Sequence, residues 1–343
     1  MRLRRVRFTD AGIRRRRQGR GFTYLDRSGR RVEDEATLDR IRSLAIPPAW
    51  DDVWICADPA GHLQAVGTDA AGRRQYRYHD DWHDRRSRRK FRRMEEFGQA
   101  LPRVRGAYRE ALVERGLTRR RVLSCAVGLL DQTTFRIGTE EYAHRNGTFG
   151  LATLQRRHVT LRDGRVIFRF EGKGGRPVEQ VVDDPDLVAT LRTLTRTRSR
   201  SPHLLTFRDR DGWHEARSDD VNDFIREISG GDFTAKDFRT WHATVLAAVA
   251  LAASASRSTP VTSRRRTVSA VLRSVADEMG NTPAVCRSSY IDPRVFDRFD
   301  EGQTIGVGSI DVTRLERPEV RRRVERAVLR LLTEDAGRAA EAA

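Results

Sequence analysis

The amino-acid sequence predicts an α+β fold, with a small β-rich N-terminal domain and a larger, mostly α-helical domain that contains a small three-stranded sheet. Short apolar segments bounded by turn residues fill the first part of the chain, as is typical of strands. Segments with apolar residues at helical spacing dominate the remainder, interrupted by three alternating segments between residues 155 and 182. A length of 343 residues also fits about two domains.

The N-terminal domain is predicted to consist of strands around one helix. Its elements are a hairpin of residues 21–26 and 30–32, a helix at 35–44, and strands at 53–57 and 63–66. The segment Gly72-Arg-Arg-Gln-Tyr-Arg-Tyr78 alternates basic and aromatic residues, so a strand would present Tyr76 and Tyr78 on one side. Such a face suits contacts with phosphates and sugars, although tyrosines that pack in a core are the commoner explanation.

The stretch 80–93 is dominated by arginine and predicts a basic helical linker. We place the domain boundary near residue 90, which gives domains at residues 1–90 and 91–343. A solvated helix that touches no nucleic acid would explain the stretch equally well. The second domain is predicted to contain helices at 103–115, 118–133, 186–196, 218–229, 243–253, 268–279, 283–290 and 318–343, strands at 155–161, 165–171 and 177–182, and a mobile loop at 254–265.

Charge and composition indicate the class of partner. The chain has 66 Lys and Arg against 48 Asp and Glu, which gives a formal net charge of +18. This charge indicates a polyanionic binding partner, above all nucleic acid. The apolar run at 245–253 is too short to span a bilayer, and no secretion signal is evident. Three widely spaced cysteines fit a reducing compartment, so we expect a cytoplasmic, nucleoid-associated protein. Neither a metal-ligand spacing of histidines nor a nucleotide-binding glycine motif is present, so no cofactor is expected.

Lysine is rare in this chain. Only Lys90, Lys173 and Lys236 are present, and every other basic side chain is arginine. An ammonium can give up a proton, whereas a guanidinium in a protein cannot, so each lysine is a candidate proton donor. Chance survival on a solvated face is an equally good explanation for any one of them.

The segment 277–293 contains the most unusual candidate, Tyr290. Gly280 and Asn281 interrupt a helix, and Asn281 or Thr282 followed by Pro283 predicts the N-cap of a new short helix. The phenol would then lie about two turns downstream, near a helix end rather than in a core. An ordinary surface tyrosine is the alternative.

Attack of a tyrosine phenol on a phosphodiester needs charge neutralisation at phosphorus, a proton for the departing hydroxyl and good positioning. Arginines can contact the non-bridging oxygens with two N–H groups each, and a lysine can supply the proton. Arg136 and Arg239 lie at predicted element junctions and suit the first role. Lys173 lies at a predicted hairpin tip, and Lys236 shares a helix face with Arg239.

The order of these motifs resembles the type IB DNA topoisomerases, particularly their compact bacterial and poxviral members. The matching pieces are Gly72-Arg-Arg-Gln-Tyr-Arg-Tyr78, Phe135-Arg-Ile-Gly138, Gly150-Leu-Ala-Thr-Leu154, Phe170-Glu-Gly-Lys173, Lys236-Asp-Phe-Arg-Thr240, and Gly280-Asn-Thr-Pro283 with Tyr290. The resemblance implies a C-shaped clamp around double-stranded DNA, closed by the β-rich and catalytic domains. It also implies relaxation of supercoils by a monomer through a 3′-phosphotyrosyl intermediate, without ATP or metal.

The resemblance also assigns residue roles. It implies that Tyr290 is the nucleophile, that Arg136 and Arg239 clamp the phosphate, and that Lys173 is the general acid with Lys236 as its assistant. It further implies DNA contacts by Gln75, Tyr76 and Tyr78. Asn281 stands where most relatives carry histidine, so it either contacts the phosphate or only caps a helix.

Two other functions are compatible with parts of the pattern. Tyrosine recombinases share this catalytic core. However, they usually have histidine at the position of Lys236, and their N-terminal domain is usually helical rather than β-rich. A non-enzymatic DNA clamp would explain the charge but not the ordered motifs.

Overall fold

A computed structural model describes residues 2–19, 21–254, 261–306, 315 and 317–341. The predicted α+β class is confirmed: one five-stranded sheet lies near the N-terminus, and helices with two small sheets make up the rest of the described chain. The chain divides into two compact units, Met1–Arg92 and Arg93–Ala343. Among the helices described, none is long and apolar enough to cross a membrane.

The first unit is built on an antiparallel sheet. Its elements are β1 (Gly12–Gln18), β2 (Gly21–Leu25), α1 (Glu35–Ser43), β3 (Asp51–Cys56), β4 (Leu63–Thr68) and β5 (Arg74–Tyr78). The strand order in the sheet is β2-β1-β3-β4-β5. The Asp34 side chain caps α1 by accepting from the Thr37 backbone N–H. Ile41 of α1 packs on the sheet with Ile13, Val53, Ile55 and Ala65.

The predicted hairpin around Arg27-Ser-Gly29 is only partly correct. That turn forms, but its strands are joined by a single bridge between Leu25 and Arg31. The actual hairpin pairs β1 with β2. Strand β1 was not predicted because it contains four consecutive arginines and only Ile13 as an inward-facing apolar residue.

Helix α2 (Asp80–Leu112) joins the two units. The separate helices predicted at 80–93 and 103–115 are therefore one element, which continues through Pro102. A proline inside a helix costs about 3 kcal/mol because it removes a hydrogen bond and crowds the preceding turn. Buried Phe97, Leu101, Val104 and Tyr108 anchor the helix on both sides of Pro102, and their packing offsets this cost.

The second unit contains two largely buried helices, at residues 119–132 and 235–254. Its helices are α3 (Arg119–Gln132), α4 (Glu140–Asn146), α5 (Pro185–Thr195), α6 (Ser218–Ser229), α7 (Ala235–Ser254), α8 (Val261–Glu278), α9 (Pro283–Ser289), α10 (Arg294–Asp300) and α11 (Pro318–Glu341). Its strands are β6 (Val159–Arg162), β7 (Arg165–Gly172), β8 (Arg176–Val182), β9 (Thr206–Asp209) and β10 (Gly212–Glu215).

The predicted three-stranded sheet is present, with the order β6-β7-β8. Its first strand is shorter than predicted, because residues 156–158 form a 3₁₀ turn before Val159. The hairpin of β9 and β10 was not predicted. The predicted loop at 254–265 is shortened by α8, which begins at Val261, while residues 255–260 lie outside the described part of the chain.

Candidate active site

Arg136 lies in an extended segment directly after α3. The helix ends where Thr133, its C-cap residue, donates its backbone N–H to the Leu129 carbonyl at 2.9 Å. The Arg136 carbonyl accepts from the Leu151 N–H at 2.8 Å, and the Ile137 carbonyl accepts from the Ala152 N–H at 2.7 Å. The two sequence motifs that start at Phe135 and at Gly150 are therefore adjacent and brace each other through the backbone.

Two glycines make this contact possible. A Cβ atom on Gly138 would lie 2.7 Å from the Cα of Gly150, and a Cβ atom on Gly150 would lie 2.6 Å from the Cα of Gly138. Gly138 also has a φ of 73°, in the left-handed region that glycine adopts without strain. A Cβ atom on Gly150 would also lie 2.8 Å from the Arg136 carbonyl oxygen, so any other residue type at either position would force the two backbone segments apart.

The Arg136 guanidinium is directed at the turn between α8 and α9. Its Nη2 donates to the Gly280 carbonyl and to Oδ1 of Asn281, both at 2.9 Å. Thr282 rather than Asn281 caps α9, since its hydroxyl accepts from the Val285 N–H at 3.3 Å. The capping explanation for Asn281 is therefore wrong, and its side chain instead contacts Arg136 and the Met279 carbonyl.

Arg239 lies in the second turn of α7 and is only 4% exposed. Its Nη1 donates to the Thr134 carbonyl, and its Nη2 donates to the Met279 carbonyl at 2.9 Å. Its Nε is buried and makes no hydrogen bond within the described residues. Burial first, and then the charge of Arg136, lower the pKa of Arg239 to about 10.

Neither Arg136 nor Arg239 forms an ion pair with a carboxylate in the described part of the chain. A buried cation that lacks a counter-ion, as Arg239 does, is costly to fold, and the nearby charge of the half-buried Arg136 adds to that cost. An arginine pair of this kind is therefore a candidate anion-binding site.

Tyr290 is the C-cap residue of α9 and is half-buried. Its backbone N–H donates to the Cys286 carbonyl at 3.0 Å, and its carbonyl accepts from the Thr244 hydroxyl of α7 at 3.4 Å. The Arg239 guanidinium lies over the phenol ring, with 5.4 Å between Cζ and the ring centroid. The predicted position of Tyr290 at a helix end is confirmed, and α7 contacts both its backbone and its ring.

Lys173 lies in the turn between β7 and β8, where its exposed side chain has no hydrogen-bond or ion-pair partner among the described residues. It lines a groove of about 730 Å³ together with Arg136 and Gly280. Arg176, at the start of β8, donates to the Asn281 carbonyl at 3.5 Å, so the hairpin also contacts the α8–α9 turn. Arg176 was missed in the sequence, where nothing separates it from the other arginines.

The structure does not bring every predicted site residue into that groove. Lys236 is exposed in the first turn of α7. The groove wall does not include Lys236, Arg239, Asn281 or Tyr290. Gln75, Tyr76 and Tyr78 belong to β5 of the first unit. Gln75 donates to Asp69 at 2.9 Å, and the rings of Tyr76 and Tyr78 stack with centroids 6.2 Å apart.

Comparisons with known proteins identify the family of the chain. The family model described as "Eukaryotic DNA topoisomerase I, catalytic core" matches residues 79–304, and the model "Bacterial DNA topoisomerase IB, N-terminal domain" matches residues 21–69. The chain belongs to the type IB DNA topoisomerase family. The catalytic-core match contains Arg136, Lys173, Lys236, Arg239 and Tyr290.

The chain is also similar to several viral topoisomerases. DNA topoisomerase 1B of Acanthamoeba polyphaga mimivirus is 28% identical over 285 residues, which cover 82% of this chain and 85% of the relative. DNA topoisomerase 1B of vaccinia virus (strain Western Reserve) is 22% identical over 287 residues, 81% of this chain and 86% of the relative. DNA topoisomerase 1 of rabbit fibroma virus is 21% identical over 290 residues, which cover 79% of this chain and 87% of the relative. The recombinase and simple-clamp alternatives are thus not favoured.

Proposed function

We propose that this protein relaxes supercoiled DNA by cleaving one strand with Tyr290 and rejoining it after rotation. The phenol oxygen loses its proton to solvent and forms a bond to phosphorus at the 3′ side. The bond from phosphorus to the 5′ oxygen breaks, and that oxygen takes up a proton and departs as a 5′-hydroxyl. The reverse reaction restores the strand. The observation that carries this proposal is the buried, carboxylate-free guanidinium of Arg239, which lies against the ring of Tyr290.

Arg136 and Arg239 are proposed to stabilise the charge that develops on the non-bridging phosphate oxygens. A guanidinium has five N–H donors in a planar fork, and both side chains commit only some of these donors to backbone carbonyls and Asn281. The backbone contacts hold each fork in place before DNA arrives. Preorganised donors of this kind lower the barrier because they need no reorientation during the reaction.

Lys173 is proposed to donate the proton that the departing 5′ oxygen requires. Its ammonium is not held by any described carboxylate, and it lines the same groove as Arg136. Lys236 is proposed to assist from the first turn of α7, three residues before Arg239. Asn281 is proposed to contact the phosphate beside Arg136, and Gln75, Tyr76 and Tyr78 are proposed to contact DNA from the first unit.

Each bond broken in this cycle is replaced by one of the same type, so we expect relaxation without ATP or a divalent metal. We further propose that the protein acts as a monomer in the cytoplasm, on nucleoid DNA. The test is a supercoiled-plasmid assay in a chelator without nucleotide. Ladder-like relaxation is the expected result, and affinity should fall steeply as salt rises. A strict requirement for ATP or metal would contradict the proposal. Strand exchange at a specific site would indicate a recombinase, and a gel shift without relaxation would indicate a clamp.

A further inference from the structure

The C-terminal helix α11 enters the interior of the second unit through a buried group of charged side chains. We name this group the α11 ion cluster: Arg105 of α2, Asp131 of α3, His242 of α7, and Arg321 and Glu325 of α11. Asp131 and Glu325 are 2% and 6% exposed. The family models match residues 21–69 and 79–304, whereas α11 begins at Pro318, so α11 lies beyond the matched regions.

Hydrogen bonds connect every member of the cluster. Arg105 donates to Asp131 at 2.8 and 2.9 Å and to Glu325 at 2.6 and 2.9 Å. Arg321 donates to Glu325 at 3.2 Å and to Asp131 Oδ1 at 3.3 Å, and its Nη2 lies 2.8 Å from Nε2 of His242. Because Arg321 donates there, Nε2 of His242 must be the acceptor, and the imidazole is neutral.

The cluster holds the two chain segments that carry the proposed phosphate clamp. Asp131 lies three residues before Thr134, whose carbonyl accepts from Arg239, and five residues before Arg136. His242 lies three residues after Arg239 on α7, and the neighbouring Trp241 donates its indole N–H to Glu325 at 3.3 Å. Because α3 and α7 are largely buried, a shift of α11 would displace the chain segments that carry both arginines.

We propose that α11 is a positioning element for DNA cleavage and that Glu325 and Arg321 set the separation of Arg136 and Arg239. This inference rests on the proposed function, because it assumes that those arginines clamp the scissile phosphate. Neither α11 residue touches the reacting atoms. Each acts by holding the ends of α3 and α7 in the register that directs both guanidinium groups at one phosphate.

The test measures how fast the parent chain and its variants cleave two DNA duplexes in a single turnover. One duplex has an ordinary scissile phosphate, and the other has a methylphosphonate there, in which a methyl group replaces a charged non-bridging oxygen. Glu325→Gln should cleave the ordinary duplex roughly tenfold or more slowly than the parent, with DNA affinity unchanged. On the methylphosphonate the loss should shrink to less than about threefold, because less charge requires neutralisation there.

Two variants provide reference points. Glu319→Gln removes the same charge from an exposed position on α11 and should match the parent on both duplexes. Arg239→Ala removes a clamp residue directly. Like Glu325→Gln, it should lose much more activity on the ordinary duplex than on the methylphosphonate duplex. Thermal melting reports whether each variant is folded. If Glu325→Gln does not fold, Arg321→Lys replaces it, because lysine keeps the charge but cannot bridge Asp131 and Glu325 with a planar fork.

The outcomes separate this inference from the proposed function. A substrate-dependent loss for both Arg239→Ala and the α11 variant supports it. Parental cleavage by the α11 variant, or an equal loss on both duplexes while Arg239→Ala discriminates between them, overturns the positioning role alone. An Arg239→Ala loss that is equal on both duplexes overturns the arginine clamp, and the positioning role with it.

Discussion

The guanidinium of Arg239 lies over the ring of Tyr290, with 5.4 Å between Cζ and the ring centroid. This contact holds the ring of a residue at a helix end, where a side chain would otherwise sample several rotamers. It also means that a phosphate within reach of the phenol is within reach of a buried cation. Because the cation is fixed by the Thr134 and Met279 carbonyls, the pair is arranged before DNA binds.

Replacing Lys173 with arginine should lower the rate of cleavage by roughly 10²-fold or more, because arginine keeps the charge but does not donate a proton. A duplex with sulfur as the leaving 5′ atom should restore cleavage, since a thiolate departs without protonation. Lys236→Arg, the same exchange at the proposed assistant outside the groove, should lose less activity. Failure of the sulfur substrate to rescue Lys173→Arg would show that Lys173 positions the DNA instead.

Asn281→Asp should cleave DNA far more slowly than the parent while melting at a similar temperature. The new carboxylate would pair with Arg136 and repel the phosphate, whereas α9 would keep its Thr282 cap. Asn281→Ala should lose roughly ten- to a hundredfold in rate, and Asn281→His should stay active with a pH dependence near about 6.5. Thr282→Ala, the control, should instead cost about 1 kcal/mol of stability. Cleavage by Asn281→Asp at the parental rate would remove Asn281 from the site.

Gly138→Ala should destabilise the protein more than Gly147→Ala does. Both glycines have a positive φ, 73° and 63°, so both replacements introduce backbone strain of about 1–2 kcal/mol. Only at Gly138 would the added methyl group also collide with the backbone of Gly150. Urea denaturation measures the difference, and equal losses for the two variants would show that the close approach relaxes without cost.

Acid should destabilise the protein partly through His242. Burial, followed by the charge of Arg321, lowers the pKa of His242 from its ordinary value of 6.5 to about 3. Between these values the unfolded chain binds a proton that the folded chain does not. The free energy of unfolding therefore decreases as the pH is lowered, by up to about 1.4 kcal/mol per pH unit. His242→Gln should flatten this slope between about pH 6 and about pH 4, whereas exposed His144→Gln should not. Identical slopes for the parent and His242→Gln would contradict this assignment.

The sequence predicted most elements of the second unit because their apolar periodicity matches the packing of α3, α5, α6 and α7. It did not predict β1, whose arginines mask a strand signal carried by Ile13 alone, or the passage of α2 through Pro102. Both depend on packing partners distant in the chain. Local propensity could not decide between Asn281 and Thr282 as the cap, because either residue type can fill that position.

The proposed site was likewise predictable from the sequence only in part. The residue types and motif order singled out Arg136, Lys173, Arg239 and Tyr290 in the sequence, and the structure places Arg239 on the ring of Tyr290 and Lys173 in the groove of Arg136. The backbone carbonyls that fix both arginines carry no side-chain signal, and the α11 ion cluster joins residues from four helices. Such long-range pairings become visible only when the chain is folded.

Covalent capture of DNA by Tyr290→Phe and by the parent tests the central claim most directly. The substitution removes one hydroxyl oxygen and keeps the ring that Arg239 contacts, so DNA affinity should stay within about twofold of the parental value. After denaturation of the reaction, the parent and the control Tyr24→Phe should show protein-linked DNA, and Tyr290→Phe should show none. A parental yield of protein-linked DNA from Tyr290→Phe would mean that another residue is the nucleophile.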